Sequence, residues 1–363
     1  MPALLTRPRA ARSTRAVVIW LLLCAALVYA VLVVGGITRL THSGLSIVQW
    51  QPLIGALPPL SDQAWASLFE QYRATPEFKL VNHDLTLEGF KPIFWWEYAH
   101  RLLGRLIGLV FLLPLLWFIR SRIISRALAF RLAGIFALGA LQGALGWYMV
   151  ASGLVDNPRV SPFRLAAHLG LALLIIGAIL WTAFDLSSPP AERRRVPVLA
   201  AAIAAAIFVM ALTGGMVAGT RAGFAYNTFP LMAGAVVPAG LMRISPWYLN
   251  FVDNPATVQF VHRAIAWTLI VLVPALWWWI RHTARASTAR LQSNLMLAAL
   301  VLQVTLGVAT LLSMVALPLA AAHQAGAVLL YASSLWTAHA LGAAATGDPA
   351  ALAQRAPSSL AAP

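Results

Sequence analysis

The chain has 363 residues, 60% hydrophobic and 10% charged, with a mean hydropathy of +0.78. Soluble domains carry about 25% charged residues and disordered chains have low hydrophobicity, so this composition excludes both an ordinary soluble enzyme and a disordered chain. The formal net charge is +15, but its basic residues sit in short clusters between apolar runs, which fits membrane loop asymmetry and not nucleic-acid binding.

A membrane-crossing helix needs about 20 mostly apolar residues. Eight stretches meet that length in chain order: roughly 16–36, 97–119, 128–150, 164–184, 197–218, 258–280, 294–314 and 320–342. The expected fold is an all-α polytopic membrane protein. The first stretch follows a basic leader, residues 1–15, with Arg7, Arg9, Arg12 and Arg15. Its apolar run is longer than a signal-peptide core and has no convincing cleavage motif, so it reads as a retained span. The lone cysteine, Cys24, lies within it, which excludes an internal disulfide and any cysteine-built zinc or iron–sulfur centre.

Loop charges give the direction. Arg120, Arg122, Arg126 and Arg131 flank the connection between spans two and three. Arg193, Arg194 and Arg195 separate four from five, and Arg281, Arg285 and Arg290 separate six from seven. With the leader they fall on one side, expected to be cytoplasmic together with both termini. The longer loops 37–96 and 219–257 fall on the other side and hold Asp62, Glu70, Glu77, Asp84 and Glu88. Residues 343–363 are Ala/Pro-rich and expected to be a disordered tail.

The chain repeats itself. Gly35-Gly36 is echoed by Gly214-Gly215, and Glu97-Tyr-Ala-His100-Arg101 by Gln259-Phe-Val-His262-Arg263. Gln142-Gly-Ala-Leu-Gly146 is echoed by Gln303-Val-Thr-Leu-Gly307, and Ala-Ala-His168 by Ala-Ala-His323. Four matched pairs in one order predict two four-helix halves, 16–184 and 197–342, related by an axis along the membrane normal.

His100, His168, His262 and His323 take matching places near the outer ends of even-numbered spans. Polar residues inside spans are costly and usually functional. Two imidazoles from two helices of one bundle suit axial ligation of haem iron. Interhelical hydrogen bonding is the plainer reading of one such histidine; four in a duplicated pattern favour haem. Gly104 and Gly108 share a helical face with His100, and Gly170 and Gly326 follow His168 and His323, leaving room for a flat macrocycle. Arg101, Arg164 and Arg263 are candidate propionate partners, or snorkelling interfacial arginines. His42, His83, His282 and His339 lie outside the pattern.

The halves differ at Glu97, matched by Gln259. Glu97 is three residues before His100 and four before Arg101, so it can act as acid or base at a ligand or pair with the arginine. The asymmetry predicts one half with a permanent haem and one where chemistry occurs.

On these residues the sequence resembles the haem A synthase family, and looks closest to its proteobacterial and mitochondrial subgroup. The matching segments are Gly35-Gly-Ile-Thr-Arg39-Leu-Thr-His-Ser-Gly44-Leu-Ser46, Glu97-Tyr-Ala-His-Arg101, Gln142-Gly-Ala-Leu-Gly-Trp-Tyr-Met149, the segment Gly219–Met232, Gln259-Phe-Val-His-Arg263 and Ala322-His-Gln324. The resemblance implies oxidation of a methyl group of haem O to a formyl group by successive hydroxylations, with water as the oxygen source, for cytochrome oxidase biogenesis. It implies that His262 and His323 ligate a cofactor haem b, that His100 and His168 line the site for substrate haem O, and that Glu97 is catalytic. Some members carry a cysteine pair in the first outer loop; this chain does not, which leaves the electron acceptor open. The short basic leader points to a bacterial inner membrane. Candidate partners are a haem O synthase, cytochrome oxidase assembly factors and a second copy of the chain. The rivals are a dihaem cytochrome that passes electrons, for instance to quinone, and a haem-binding assembly protein without turnover.

Overall fold

In the computed structural model the described residues are 9–51, 54–156, 158–188, 196–283 and 287–344. They form α1 (Arg9–Leu40), α2 (Asp62–Arg73), α3 (Pro76–Leu80), α4 (Leu87–Arg120), α5 (Arg126–Ala151), α6 (Pro162–Ser187), α7 (Val198–Gly219), α8 (Asn250–Asp253), α9 (Pro255–Thr283), α10 (Ser287–Leu312) and α11 (Leu317–Ala344). No strand occurs among the described residues. Arg7, Arg193, Arg194, Arg195, Arg285 and the tail from 345 lie outside them.

Among the described residues seven helices are long and apolar enough to cross a membrane: Thr14–Leu40, α4, α5, α6, α7, α9 and Thr288–Leu312. The predicted eighth span falls within α11, which is 28 residues long. His323, Gln324, Ser333, Ser334, Thr337 and His339 dilute its apolarity. The helices also outrun the predicted spans. α1 continues to Leu40 and α4 begins at Leu87, where Thr86 Oγ1 accepts from the Gly89 amide and relieves one of the unpaired first-turn donors.

The long helices make two matching rings of contact. α1 packs on α4 and α6, and α5 on α4 and α6; α7 packs on α9 and α11, and α10 on α9 and α11. α6 meets α7, and α1 and α6 both meet α11, so the seam is central. Its packing is aliphatic, with Leu173, Ile176 and Ile179 of α6 and Ile203 and Ile207 of α7 all buried. At one end Gln324 of α11 donates to the Leu32 carbonyl of α1 at 2.9 Å, and Gly36 supplies the space its side chain fills. At the other, Asp185 of α6 accepts from Arg131 of α5 at 2.9 Å and lies 3.1 Å from His339 of α11.

The long loop between α1 and α4 is a folded cap. Ser61 starts α2 by accepting from the Ala64 amide, and Thr75 starts α3 by accepting from the Phe78 amide. Both helices rest on an aromatic cluster of Tyr72, Phe90, Phe94 and Tyr98. Tyr98 Oη donates to the Ala56 carbonyl at 2.7 Å, tying the loop to α4.

Candidate functional site

Each half builds a histidine pair from the same parts. In the first, His100 of α4 sets Nδ1 3.1 Å from the Val31 carbonyl of α1. Gly35 permits that approach: a Cβ there would stand 2.6 Å from His100 Cε1. His168 of α6 lies against Gly146 of α5, where a Cβ would be 2.9 Å from its ring. Gln142 Nε2 donates to the His168 carbonyl at 2.9 Å. In the second half, His262 Nδ1 lies 2.9 Å from Thr213 Oγ1, Gly214 faces its ring, and His323 lies against Gly307. Gln303 Nε2 donates to the His323 carbonyl, also at 2.9 Å. His100 and His168 are within electrostatic reach of each other, as are His262 and His323.

These sites fit haem on two observations. His168 and His323 each leave a buried Nδ1 without a partner, while His100 and His262 commit Nδ1 and leave Nε2 for a ligand. A second-site hydrogen bond of that kind fixes the ring and its tautomer. Gly104 and Gly108, one and two turns beyond His100, face open space, with nothing within 4 Å of an added Cβ.

Glu97 is 2% exposed and all its hydrogen bonds are defined. Oε1 accepts from Arg101 Nε at 3.0 Å and Nη2 at 2.7 Å. Oε2 accepts from Ser46 Oγ at 2.7 Å and the Ile47 amide at 2.8 Å. Arg101 also donates to the carbonyls of Ile47 and Gln49, and lies 5.9 Å over Trp147, which stacks on Trp50. In the second half Arg263 donates to the carbonyls of Tyr226 and Thr228, and Gln259 Nε2 to Tyr226 at 3.2 Å, while Gln259 Oε1 is buried and unpartnered. Arg164 donates to the Tyr148 carbonyl and lies 3.7 Å over its ring. All three arginines thus hold backbone carbonyls, geometry that the propionate reading of the sequence did not contain.

The remaining histidines lie elsewhere. His83 pairs with Asp84 in the exposed loop, His282 meets the Trp278 carbonyl, and His339 belongs to the Asp185 cluster. His42 has φ 53° just beyond α1. Sequence reasoning gave Gln142 and Gln303 no task; their recurrence was the available signal. It also missed Glu77 of α3, a carboxyl 4% exposed in the cap whose Oε2 has no partner.

The fold and site define a polytopic membrane protein that presents two histidine pairs at duplicated stations. The COX15-CtaA family model, described as cytochrome oxidase assembly protein, matches residues 18–335. The haem A synthase of Nitrosospira multiformis is 55% identical over 331 residues, covering 90% of this chain and 93% of that protein. That of Nitrosomonas eutropha is 51% identical over 332 residues, covering 90% and 93%, and that of Rhodospirillum centenum is 49% identical over 338 residues, covering 92% and 90%. The chain belongs to the haem A synthase family of cytochrome oxidase assembly proteins.

Proposed function

We propose that the protein oxidises a methyl group of haem O to a formyl group, giving haem A for cytochrome oxidase. The observation that carries this reading is a fully hydrogen-bonded carboxylate, Glu97, one helical turn from His100, where the other half holds only a carboxamide. The family membership supports it across most of the chain.

In this reading eight spans form two pseudo-symmetric four-helix bundles, 16–184 and 197–342, in a bacterial inner membrane with both termini cytoplasmic. Seven apolar helices and the two rings of contact support it. His100 and His168 hold haem O in the first bundle. His262 and His323 hold haem b in the second, and that group, when bound, supplies a one-electron relay. Thr213 orients His262 through Nδ1, and Gln303 steadies the His323 backbone.

Glu97 holds negative charge beside the methyl being oxidised, where it balances developing positive charge or takes a proton. Its four donors fix its position, so no reorganisation is needed when charge develops. Arg101 orients Glu97 and ties the start of the loop, at Ile47 and Gln49, to α4. Haem O synthase and oxidase assembly factors remain candidate partners, as does a second copy of the chain.

An electron-carrying dihaem cytochrome shares the histidine pairs but has no use for Glu97 in one half only. Haem extraction from cells that make haem O, with and without this protein, tests the function. Haem A only in the expressing cells is expected; haem O alone in both refutes it.

A further inference from the structure

The two halves hold the histidines of α4 and α9 at the same helix position but not by the same atom. Gly35 against His100 and Gly214 against His262 are counterparts in the repeat. Val31, four residues before Gly35, therefore corresponds to Met210, four before Gly214. In the first half the Val31 carbonyl meets His100 Nδ1 directly at 3.1 Å. In the second half Thr213 stands between. Its Oγ1 donates to the Met210 carbonyl at 2.8 Å, with the Met210 sulfur 4.0 Å away, and lies 2.9 Å from His262 Nδ1. Val34 has the matching place in the first half and carries no hydroxyl to insert. The glycines record the difference: a Cβ at Gly35 would stand 2.6 Å from the His100 ring, one at Gly214 3.4 Å from that of His262.

A threonine hydroxyl has one hydrogen to donate, and in a helix it commonly goes to a carbonyl one turn back. That of Thr213 is committed to Met210, so toward His262 its oxygen only accepts. Nδ1 then carries the imidazole proton and Nε2 keeps the lone pair that a metal needs. The Val31 carbonyl, which can only accept, imposes the same tautomer on His100. The acceptors are unequal, because a peptide carbonyl oxygen is more electron-rich than a hydroxyl oxygen.

We propose that Thr213 sets the donor strength of His262, and with it the reduction potential of a haem held in the second half. The proposal rests on the haem ligation proposed above. An imidazole N–H bonded to an acceptor pushes electron density into the ring, and a more electron-rich ring favours ferric over ferrous iron. With a hydroxyl in place of the carbonyl, His262 is a weaker donor than His100, so two halves built from the same ligands present unequal sites. Thr213 acts through His262 and is a positioning residue.

The test is an optical redox titration of the purified full-length protein with its bound haem. Thr213→Val keeps the shape of the side chain but leaves the Nδ1 hydrogen without an acceptor, so the midpoint potential should rise. Thr213→Ser restores the hydroxyl and should keep the wild-type potential. The low-spin ferric signal in electron paramagnetic resonance should likewise move in Thr213→Val and not in Thr213→Ser. Thr305→Val removes a hydroxyl that bonds only within α10 and should change neither readout. Release of haem by Thr213→Val but not by Thr213→Ser also supports the proposal, because only the hydroxyl separates them. A wild-type potential and signal in Thr213→Val overturns it, as do equal shifts or equal haem loss in the valine and serine variants, or an equal shift in Thr305→Val. If His262→Ala keeps the wild-type spectrum, the ligation reading itself fails, and that result differs from an unmoved Thr213→Val beside a His262→Ala that has lost its haem.

Discussion

Glu97 and Gln259 occupy matching positions before Arg101 and Arg263 but make opposite hydrogen bonds. The Glu97 carboxylate accepts from the Ile47 amide, whereas the Gln259 amide donates to the Tyr226 carbonyl. One loop therefore presents a donor and the other an acceptor at the same station. Both arginines bind loop carbonyls, but only the first also meets an acid.

Glu97→Gln should retain bound haem and abolish haem A formation, a loss of about a hundredfold or more for a group acting in proton transfer. Pigment extraction after expression beside a haem O source measures it. Normal haem A from the variant removes Glu97 from the mechanism.

On the proposed reading, His262→Ala and His323→Ala should each lose the haem absorption of the purified protein, because each removes one of the two imidazoles that would hold the group. Absorption unchanged in both variants refutes the ligand assignment in the second half.

Two glycines of that half separate close packing from mere smallness. A Cβ at Gly307 would lie 2.8 Å from His323, whereas one at Gly214 would lie 3.4 Å from His262, an ordinary contact. Gly307→Ala should displace the imidazole at an overpacking cost of about 1–3 kcal/mol and reduce bound haem. Gly214→Ala should bind haem normally. Haem content per purified protein compares them, and equal content in both variants contradicts the expected difference.

Glu77 also sets a pH dependence of stability. Its carboxyl is raised in the folded protein from the usual 4.5 to about 7. Between these values the folded state holds a proton that the unfolded chain has released, so stability falls as pH rises through this window. Glu77→Gln should remove that slope, raising the thermal midpoint relative to wild type at pH 8 more than at pH 5. A parallel pair of melting curves across pH would show that Glu77 is not the group responsible.

Much of the arrangement was legible in the sequence because membrane spans announce themselves by length and the duplication repeats its polar marks. Gln142 meets His168 in the folded chain, and Gln303 meets His323 in the same way. What the sequence hid are contacts to main-chain atoms, which no residue type marks. Arg101 and Arg263 reach carbonyls in loops some fifty and thirty-five residues away, and nothing in an arginine codon distinguishes that from a free cation. The length of α4 was hidden differently. The stretch Leu87–Trp96 ahead of the apolar run belongs to the same helix, which carries Pro92 within it. Nothing in the sequence separates Glu77 from the other acids of its loop; only the fold buries it.

The fit of Gln324 against Gly36, with its hydrogen bond to Leu32, keys α11 into α1 at the seam. Gln324 is next to His323, and Gly36 is next to the glycine that supports His100. A single side chain thus sets the register between a ligand of one proposed porphyrin and the wall of the other. On the proposed reading, this notch would make the spacing between the two haem sites a property of the folded chain and not of thermal drift between its halves.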